Sequence, residues 1–294
     1  MGLLLLGLLG SAALGAVALD WFGEGEENQS DGSPNGAGQE LNFDGSNVLN
    51  GTEGDDTIPP GQDGFLTPEE INLFGGDDVV TIDAYHALTI FGGDGNDLIT
   101  SNGAASVVEG GAGNDTLTTD DGNEIFGGVG DDVLNFTHGS YDIGDPGVVN
   151  GGEGDDTINM RADALITQEH LTNVGGGIDI LGGDGADDIN IVYDFFELEE
   201  NRTPADSGKI SHGFLRLLDF NPGEDSLVIE FERDSQTADR TITIDLNQTE
   251  DNGTYTSLIT FTFEATVDED EAVNFLTVTS SAPFTLDDIQ FVGV

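Results

Sequence analysis

Five aspartates share one chemical setting. Asp97, Asp115, Asp132, Asp156 and Asp187 each follow glycines placed five, four and two residues earlier, and each precedes Ile or Leu by two. The glycines are Gly92, Gly93 and Gly95; Gly110, Gly111 and Gly113; Gly127, Gly128 and Gly130; Gly151, Gly152 and Gly154; and Gly182, Gly183 and Gly185. Two shorter copies come first. Gly51-Thr-Glu-Gly-Asp-Asp56-Thr-Ile58 lacks the second glycine, and Gly76-Asp-Asp78-Val-Val80 keeps only the second half. A carboxylate fixed beside glycine-rich backbone is chemistry for a hard cation. Glycine reaches the positive-φ conformations that curl carbonyls toward an ion, and calcium takes six to eight oxygens, to which such carbonyls contribute. Magnesium demands a strict octahedron and fits irregular turns poorly. All these glycines and aspartates, with Asp56 and Asp78, are therefore the expected Ca2+ ligands. A flexible linker is the plain alternative, but a linker needs neither a fixed Asp nor an aliphatic residue two places on.

The spacing of these residues constrains the elements that position them. First glycines fall at 92, 110, 127, 151 and 182, giving steps of 18, 17, 24 and 31 residues. If successive coils stack at the ~4.8 Å strand spacing, neighbouring Asp carboxylates repel by ~1 kcal/mol in water and several times that at lower effective dielectric. A cation between Asp97 and Asp115 replaces that repulsion with two attractions, so ion binding and folding become one event.

This Gly-Gly-x-Gly-x-Asp-x-U-x pattern resembles the hemolysin-type calcium-binding repeat of the RTX (repeats-in-toxin) family of exported bacterial proteins. The resemblance covers about half the chain. It implies an all-β, right-handed parallel β-roll (β-solenoid), with U pointing inward and calcium between turns of successive coils. Tandem arrays of that family repeat every nine residues and carry a calcium turn on both faces. Here the intervening turns, Thr100–Ser106 and Thr118–Asn123, lack the motif, so calcium is expected along one face only, in at most six gaps. The longer steps place insertions on the other face: His138–Pro146, and Arg161–Thr172 as a short helix.

Composition agrees with this reading. The 294 residues include 58 acidic and 6 basic ones, for a net charge of −52. All the basic residues follow position 160, where 30 acidic ones have already passed, so that half cannot neutralise itself. Nucleic acid and anionic membrane surfaces are excluded as partners, because both attract Lys/Arg clusters and Lys209 is the one lysine. With no cysteine there is no disulfide framework or thiolate zinc site. At 36% hydrophobic residues the core is lean, and a divalent cation is the obvious added support.

Four segments follow. Residues 1–19 contain an apolar run, Gly2–Leu19, about 27 Å long as a helix, which reads as an uncleaved membrane tether or as a signal peptide with a cleavage site at Ala16-Val17-Ala18, with a buried helix of the folded protein as the third alternative. Residues 20–48 read as an acidic linker, 49–194 as the roll, and 195–294 as an antiparallel β domain containing Leu227–Phe231, Thr241–Leu246, Leu258–Phe263 and Phe275–Val278. Leu217–Ile229 is similar to the strand, turn and strand that follows the repeats in exported family members. The final Asp287–Val292 looks like the end of a type I export signal or an ordinary last strand. The export machinery is then a partner, and the location extracellular or cell-surface.

Two weaker signals have plain structural readings. Asp63–Glu70 matches the second half of an EF-hand loop, but Pro59 and Gly61 stand where ligands belong, so a helix capped by Thr67 with Pro68 first in it is expected. His86, His138, His170 and His212 are scattered, without a His-Glu-x-x-His or Gly-x-Ser-x-Gly motif, which points to a non-catalytic protein. The alternatives are a hydrolase or polysaccharide-modifying enzyme with an accessory roll, and a calcium-dependent surface adhesin or matrix protein binding a glycan or protein. Free calcium is low inside a bacterium and millimolar outside, so closure is expected after export; the turns of Asp97, Asp115, Asp132 and Asp156 are expected to close first, because their motifs are complete and adjacent, and those of Asp56 and Asp78 last or not at all.

Overall fold

Each glycine pair is flanked by residues that alternate aliphatic and polar, which in a strand buries one face. The computed structural model describes residues 37–43, 45–61, 67–84, 86–103, 106–120, 124–138, 147–163, 178–195, 210–233, 241–264 and 272–293. Their strands form two sheets. In spatial order the first holds β1 (Val48–Asn50), β3 (Glu70–Asn72), β5 (Thr89–Asp94), β7 (Val107–Ala112), β9 (Glu124–Val129), β11 (Gly147–Glu153), β13 (Ile178–Asp184), β15 (Ile210–Phe220), β19 (Ala272–Ser280), β18 (Thr254–Phe263) and β17 (Ile242–Asp251). The second holds β2 (Thr57–Ile58), β4 (Val79–Ala84), β6 (Leu98–Gly103), β8 (Thr116–Thr119), β10 (Val133–His138), β12 (Thr157–Asp163), β14 (Asp188–Phe195), β16 (Ser226–Arg233) and β20 (Gln290–Val292).

From β1 to β16 successive strands alternate between the sheets, so every Gly/Asp segment is a turn from the first sheet to the second. Pairing is parallel everywhere except β17 with β18 and β18 with β19. Register is kept from coil to coil despite the unequal steps. Ile99, Leu117, Leu134, Ile158, Ile189 and Leu227 stand opposite one another along the second sheet. On the first sheet Ile71, Ile90, Val108, Ile125, Val149, Ile180 and Leu217 do the same. Both columns are buried and belong to one core. Burying one such side chain stabilises by ~1.5–3 kcal/mol, so these columns hold the register from which the turns are hung. The inward position expected for the aliphatic residue after each Asp is therefore observed. The architecture is mostly parallel, repeat-patterned and all-β, with a partly antiparallel C-terminal stretch.

Several sequence expectations need correction. The boundary placed at 194/195 falls inside β14, and both sheets run past it through β15 and β16. Leu227–Phe231 lies in β16, parallel to β14 and β20 rather than antiparallel. Alternation fixes which face is buried but not strand direction; here Leu227 and Ile229 extend columns that already exist. Thr241–Leu246 falls in and just before β17, Leu258–Phe263 in β18, and these strands do form the expected hairpin. Its tip is Asn252-Gly253, with φ of 54° and 86°, as a type I′ turn requires. Phe275–Val278 lies in β19, antiparallel to β18 and parallel to β15.

No helix begins at Pro68, because the chain goes straight into β3, whose Ile71 fills the first-sheet column. Core packing overrides the local capping signal. The helix expected over Arg161–Thr172 fails at its start, since Arg161–Asp163 belong to β12; residues 164–172 lie outside the described residues. The linker expectation fails before residue 48: Glu40 bridges to Thr57 and Leu41 is buried. The apolar run 2–19 and most of the insertion 138–146 also lie outside the described residues. At the C-terminal end, Leu286–Asp288 make a 3-10 turn and Gln290–Val292 the last strand.

Candidate functional site

The in-register strands place the sixth-position aspartates in one column along one edge of the stack. The backbone N–H of each donates to Oδ1 of the next. Asp56 N–H reaches Asp78 at 2.6 Å, Asp78 reaches Asp97 at 2.8 Å, and Asp97 reaches Asp115 at 2.7 Å. Asp115 continues to Asp132 at 2.7 Å, Asp132 to Asp156 at 2.8 Å, and Asp156 to Asp187 at 3.0 Å. None of these seven residues is more than 2% exposed. Each repeat adds one link, so the column inherits its direction from the parallel strands beneath it.

The other carboxylate oxygen is the unusual one. In Asp78, Asp97, Asp115, Asp132, Asp156 and Asp187, Oδ2 is buried and has no hydrogen-bond partner. Leaving such an oxygen unmatched costs roughly 1–3 kcal/mol for a neutral group and more for a charged one. Each Oδ2 of the complete motifs faces the first glycine of its own turn. A Cβ built on Gly92 would stand 2.3 Å from Asp97 Oδ2 and 2.4 Å from the carbonyl oxygen of Gly110. Gly127 repeats this with Asp132 Oδ2 and Gly151 O, as does Gly151 with Asp156 Oδ2 and Gly182 O. A carboxylate oxygen and a neighbouring coil's carbonyl oxygen therefore crowd one small space.

The glycines have two different reasons to be there. Sequence reasoning assigns all of them positive φ, and the structure gives it to the second and third of each motif, for example Gly128 at 122° and Gly130 at 131°. Here a side chain would also strike the preceding coil: a Cβ on Gly128 would lie 2.1 Å from Gly111 O. The first glycines, Gly92, Gly110, Gly127, Gly151 and Gly182, lack positive φ. They are glycine because Asp Oδ2 needs the space.

Burial and neighbouring carboxylates act on the column together. Asp78, Asp132 and Asp156 are pushed up to about 7, and Asp97 and Asp187 to about 6, from 3.8, chiefly by burial and then, against the lowering effect of a backbone N–H, by adjacent aspartates. Asp115 is raised by burial as well. Such groups call for a proton or a cation at neutral pH.

Three features escaped the sequence reading. Asp225 extends the column, its Oδ1 accepting the Asp187 N–H at 3.3 Å. Its signal was Gly223-Glu-Asp225-Ser-Leu227, the same half-motif as Gly76-Asp-Asp78-Val-Val80. Asp219 stands six residues before Asp225, and its carboxylate accepts the N–H groups of Gly182 and Gly183 at 3.0 and 3.1 Å. The residue before each Asp forms a second, exposed ladder running the other way. Asn96 N–H donates to Asp77 Oδ1, Asn114 to Asn96, Asp131 to Asn114, and Asp155 to Asp131, at 2.8–3.1 Å. The repeated Asp/Asn at that position was visible but carried no assigned role.

Among the remaining expected sites, Asp56 stands in the column, yet its Oδ2 already accepts the Thr52 N–H at 2.5 Å. Glu70, the last residue of the half EF-hand, instead accepts from the Asn72 amide; Asp63 lies outside the described residues. The ring nitrogens of His86 lie 2.9 and 3.0 Å from the carbonyl oxygens of Ala87 and Thr67, a structural arrangement.

No protein-family model, curated protein or solved structure matches the chain. What stands is a repetitive, mostly parallel β structure carrying a buried aspartate column, consistent with a solenoid-like fold.

Among the described residues no three His, Cys, Asp or Glu side chains converge on one point. A cation held at these turns must therefore draw on backbone carbonyls beside each carboxylate. That mixed, all-oxygen donor set suits calcium and not zinc, which favours nitrogen and sulfur.

Proposed function

We propose that the chain binds calcium ions along its aspartate column and completes its folding when they bind. The observation that carries this reading is the row of six buried Oδ2 atoms without donors, repeated at every turn from Asp78 to Asp187. The crowding of Asp97 Oδ2 and Gly110 O into one space supports it, as does the chain's charge of −52. Among the described residues the arginine ion pairs, Arg161 with Glu232 and Arg216 with Asp179, join strands of the sheets, and the Gly/Asp turns contain no Lys or Arg of their own. A doubly charged ion supplies what the residues leave out.

In this reading the protein is an RTX-type, non-catalytic, exported one with a closed right-handed roll. It stays expanded at the low calcium of the cytoplasm and closes outside the cell or at its surface. Extracellular calcium modules commonly need ~0.1–1 mM, which suits such a switch. Type I export and a tether through residues 2–19 belong to the same reading.

The test is a calcium titration of the full chain, followed by circular dichroism and equilibrium dialysis and repeated with magnesium. The expected result is a cooperative gain of β signal with several calcium ions bound, and little response to magnesium. A chain that keeps the same ordered signal in chelator and takes up no calcium would overturn the proposal.

A further inference from the structure

Whether a turn keeps its free carboxylate oxygen follows the backbone of a single residue, the one four positions before the aspartate. In the six turns from Asp78 to Asp187 that residue has positive φ: 74° at Phe74, then 114°, 118°, 122°, 123° and 111° at Gly93, Gly111, Gly128, Gly152 and Gly183. Each of these turns has a buried Oδ2 with no donor. The two other turns of the column differ in both respects. Thr52 and Asn221 precede Asp56 and Asp225 by four, and neither has positive φ. The N–H of each donates to Oδ2 of its aspartate, at 2.5 and 2.7 Å.

The correlation has a mechanical cause. Reversing the sign of φ rotates the preceding peptide plane, so the N–H points at the carboxylate in one setting and away from it in the other. Phe74 shows that the backbone decides and not glycine as such. It is a bulky residue held in the left-handed region, its carbonyl oxygen accepts the Asp94 N–H at 2.8 Å, and the Asp78 turn is open. The Asp56 turn retains more of the glycine motif than the Asp78 turn, yet it is closed.

We propose that this residue selects which turns take a cation, and that Thr52 and Asn221 shut the two ends of the row by placing an N–H where the other turns admit an ion. The proposal rests on the calcium reading above. It makes Asp56 and Asp225 metal-independent end caps, and it makes the Asp78 turn a full member of the row despite its degenerate sequence. The row then has a defined length, set by two residues that replace the second glycine of the motif.

The experiment counts calcium ions per full-length chain by equilibrium dialysis at saturating calcium, for the wild type, Thr52→Gly and Phe74→Thr. Thr52→Gly frees the second position to take positive φ and is expected to bind one ion more than the wild type. Phe74→Thr puts a β-branched residue where positive φ is least tolerated, so the turn relaxes, its N–H returns to Asp78 Oδ2, and one ion fewer is bound. Far-UV spectra in calcium establish that each variant is folded. A folded Thr52→Gly protein that binds the wild-type number overturns the proposal, whatever Phe74→Thr does. If the wild type itself binds no calcium, the functional reading falls first and this inference with it.

Discussion

Asp97 and Asp115 are joined by one hydrogen bond and separated by one unmet need. The Asp97 N–H donates to Asp115 Oδ1 at 2.7 Å, while Asp115 Oδ2, equally buried, has no donor. The first oxygen locks the two coils in register, and the second makes that lock costly without a cation. Asp115→Asn separates the two effects, because the amide keeps the acceptor and replaces the bare oxygen with a donor that the Gly127 carbonyl can meet. Without calcium the variant should unfold at a higher urea concentration than the wild type, by the equivalent of ~1–3 kcal/mol. In calcium it should gain less than the wild type. Paired urea curves with chelator and with calcium check both; a loss of stability in chelator would refute this account of Oδ2.

The column also sets an unusual pH dependence. Asp78, Asp132 and Asp156 titrate near 7 in the fold, and Asp97 and Asp187 near 6, against 3.8 ordinarily. Between about pH 4 and 7 the metal-free fold therefore holds protons that the unfolded chain has released. Its stability is fully present below the unfolded value and is lost as pH rises through 6 to 7. In chelator the urea midpoint should be higher at pH 5 than at pH 8, and Asp132→Asn should shrink the difference, which general surface charge would not do. Calcium competes with those protons, so its affinity should rise over the same interval. A wild-type midpoint that rises with pH in chelator would contradict the assignment.

Two glycines with similar φ should respond very differently to a methyl group. Gly128 has φ of 122°, and a Cβ there would meet Gly111 O at 2.1 Å; Gly253 has φ of 86° with nothing within 4 Å. Gly253→Ala should cost only the conformational penalty, about 1–2 kcal/mol. Gly128→Ala adds a backbone collision that neither coil can relieve without breaking register, and should cost at least about 3 kcal/mol or prevent folding. Equal losses in thermal unfolding would mean that the coils are not stacked this closely.

Much of this arrangement was legible in the residues. Asp97 to Asp187 with their following Ile and Leu fixed the column and its inner face, because a period-two strand allows one placement for both. The one-sided distribution of Gly/Asp turns came from the roughly 18-residue step. Direction was not legible beyond residue 195: Leu227–Phe231 alternates as an antiparallel strand would, and only the registers of β14 and β20 make it parallel. The role of Asp225 was hidden because its turn keeps only Gly223, Asp225 and Leu227 of the motif, with Phe220 and Asn221 where the first two glycines stand. The capping signal at Thr67 and Pro68 was real but local, and one buried residue, Ile71, outweighed it.

Phe74 offers the last test, because here sequence and backbone disagree. A phenylalanine at φ of 74°, half exposed, sits where every complete repeat has glycine. The left-handed region costs a residue with a Cβ roughly 1–2 kcal/mol relative to glycine. In this conformation the Phe74 carbonyl accepts the Asp94 N–H, a contact between this coil and the next. Phe74→Gly removes the strain and keeps that hydrogen bond. Against this, glycine gives the unfolded chain more freedom, which offsets roughly 0.5–1 kcal/mol. The net expectation is a gain of about 0.5–1 kcal/mol in calcium, with the number of bound ions unchanged. Calcium-loaded thermal unfolding and dialysis measure the two together, and a clear loss of stability would show that the phenyl ring contributes contacts that outweigh its backbone strain.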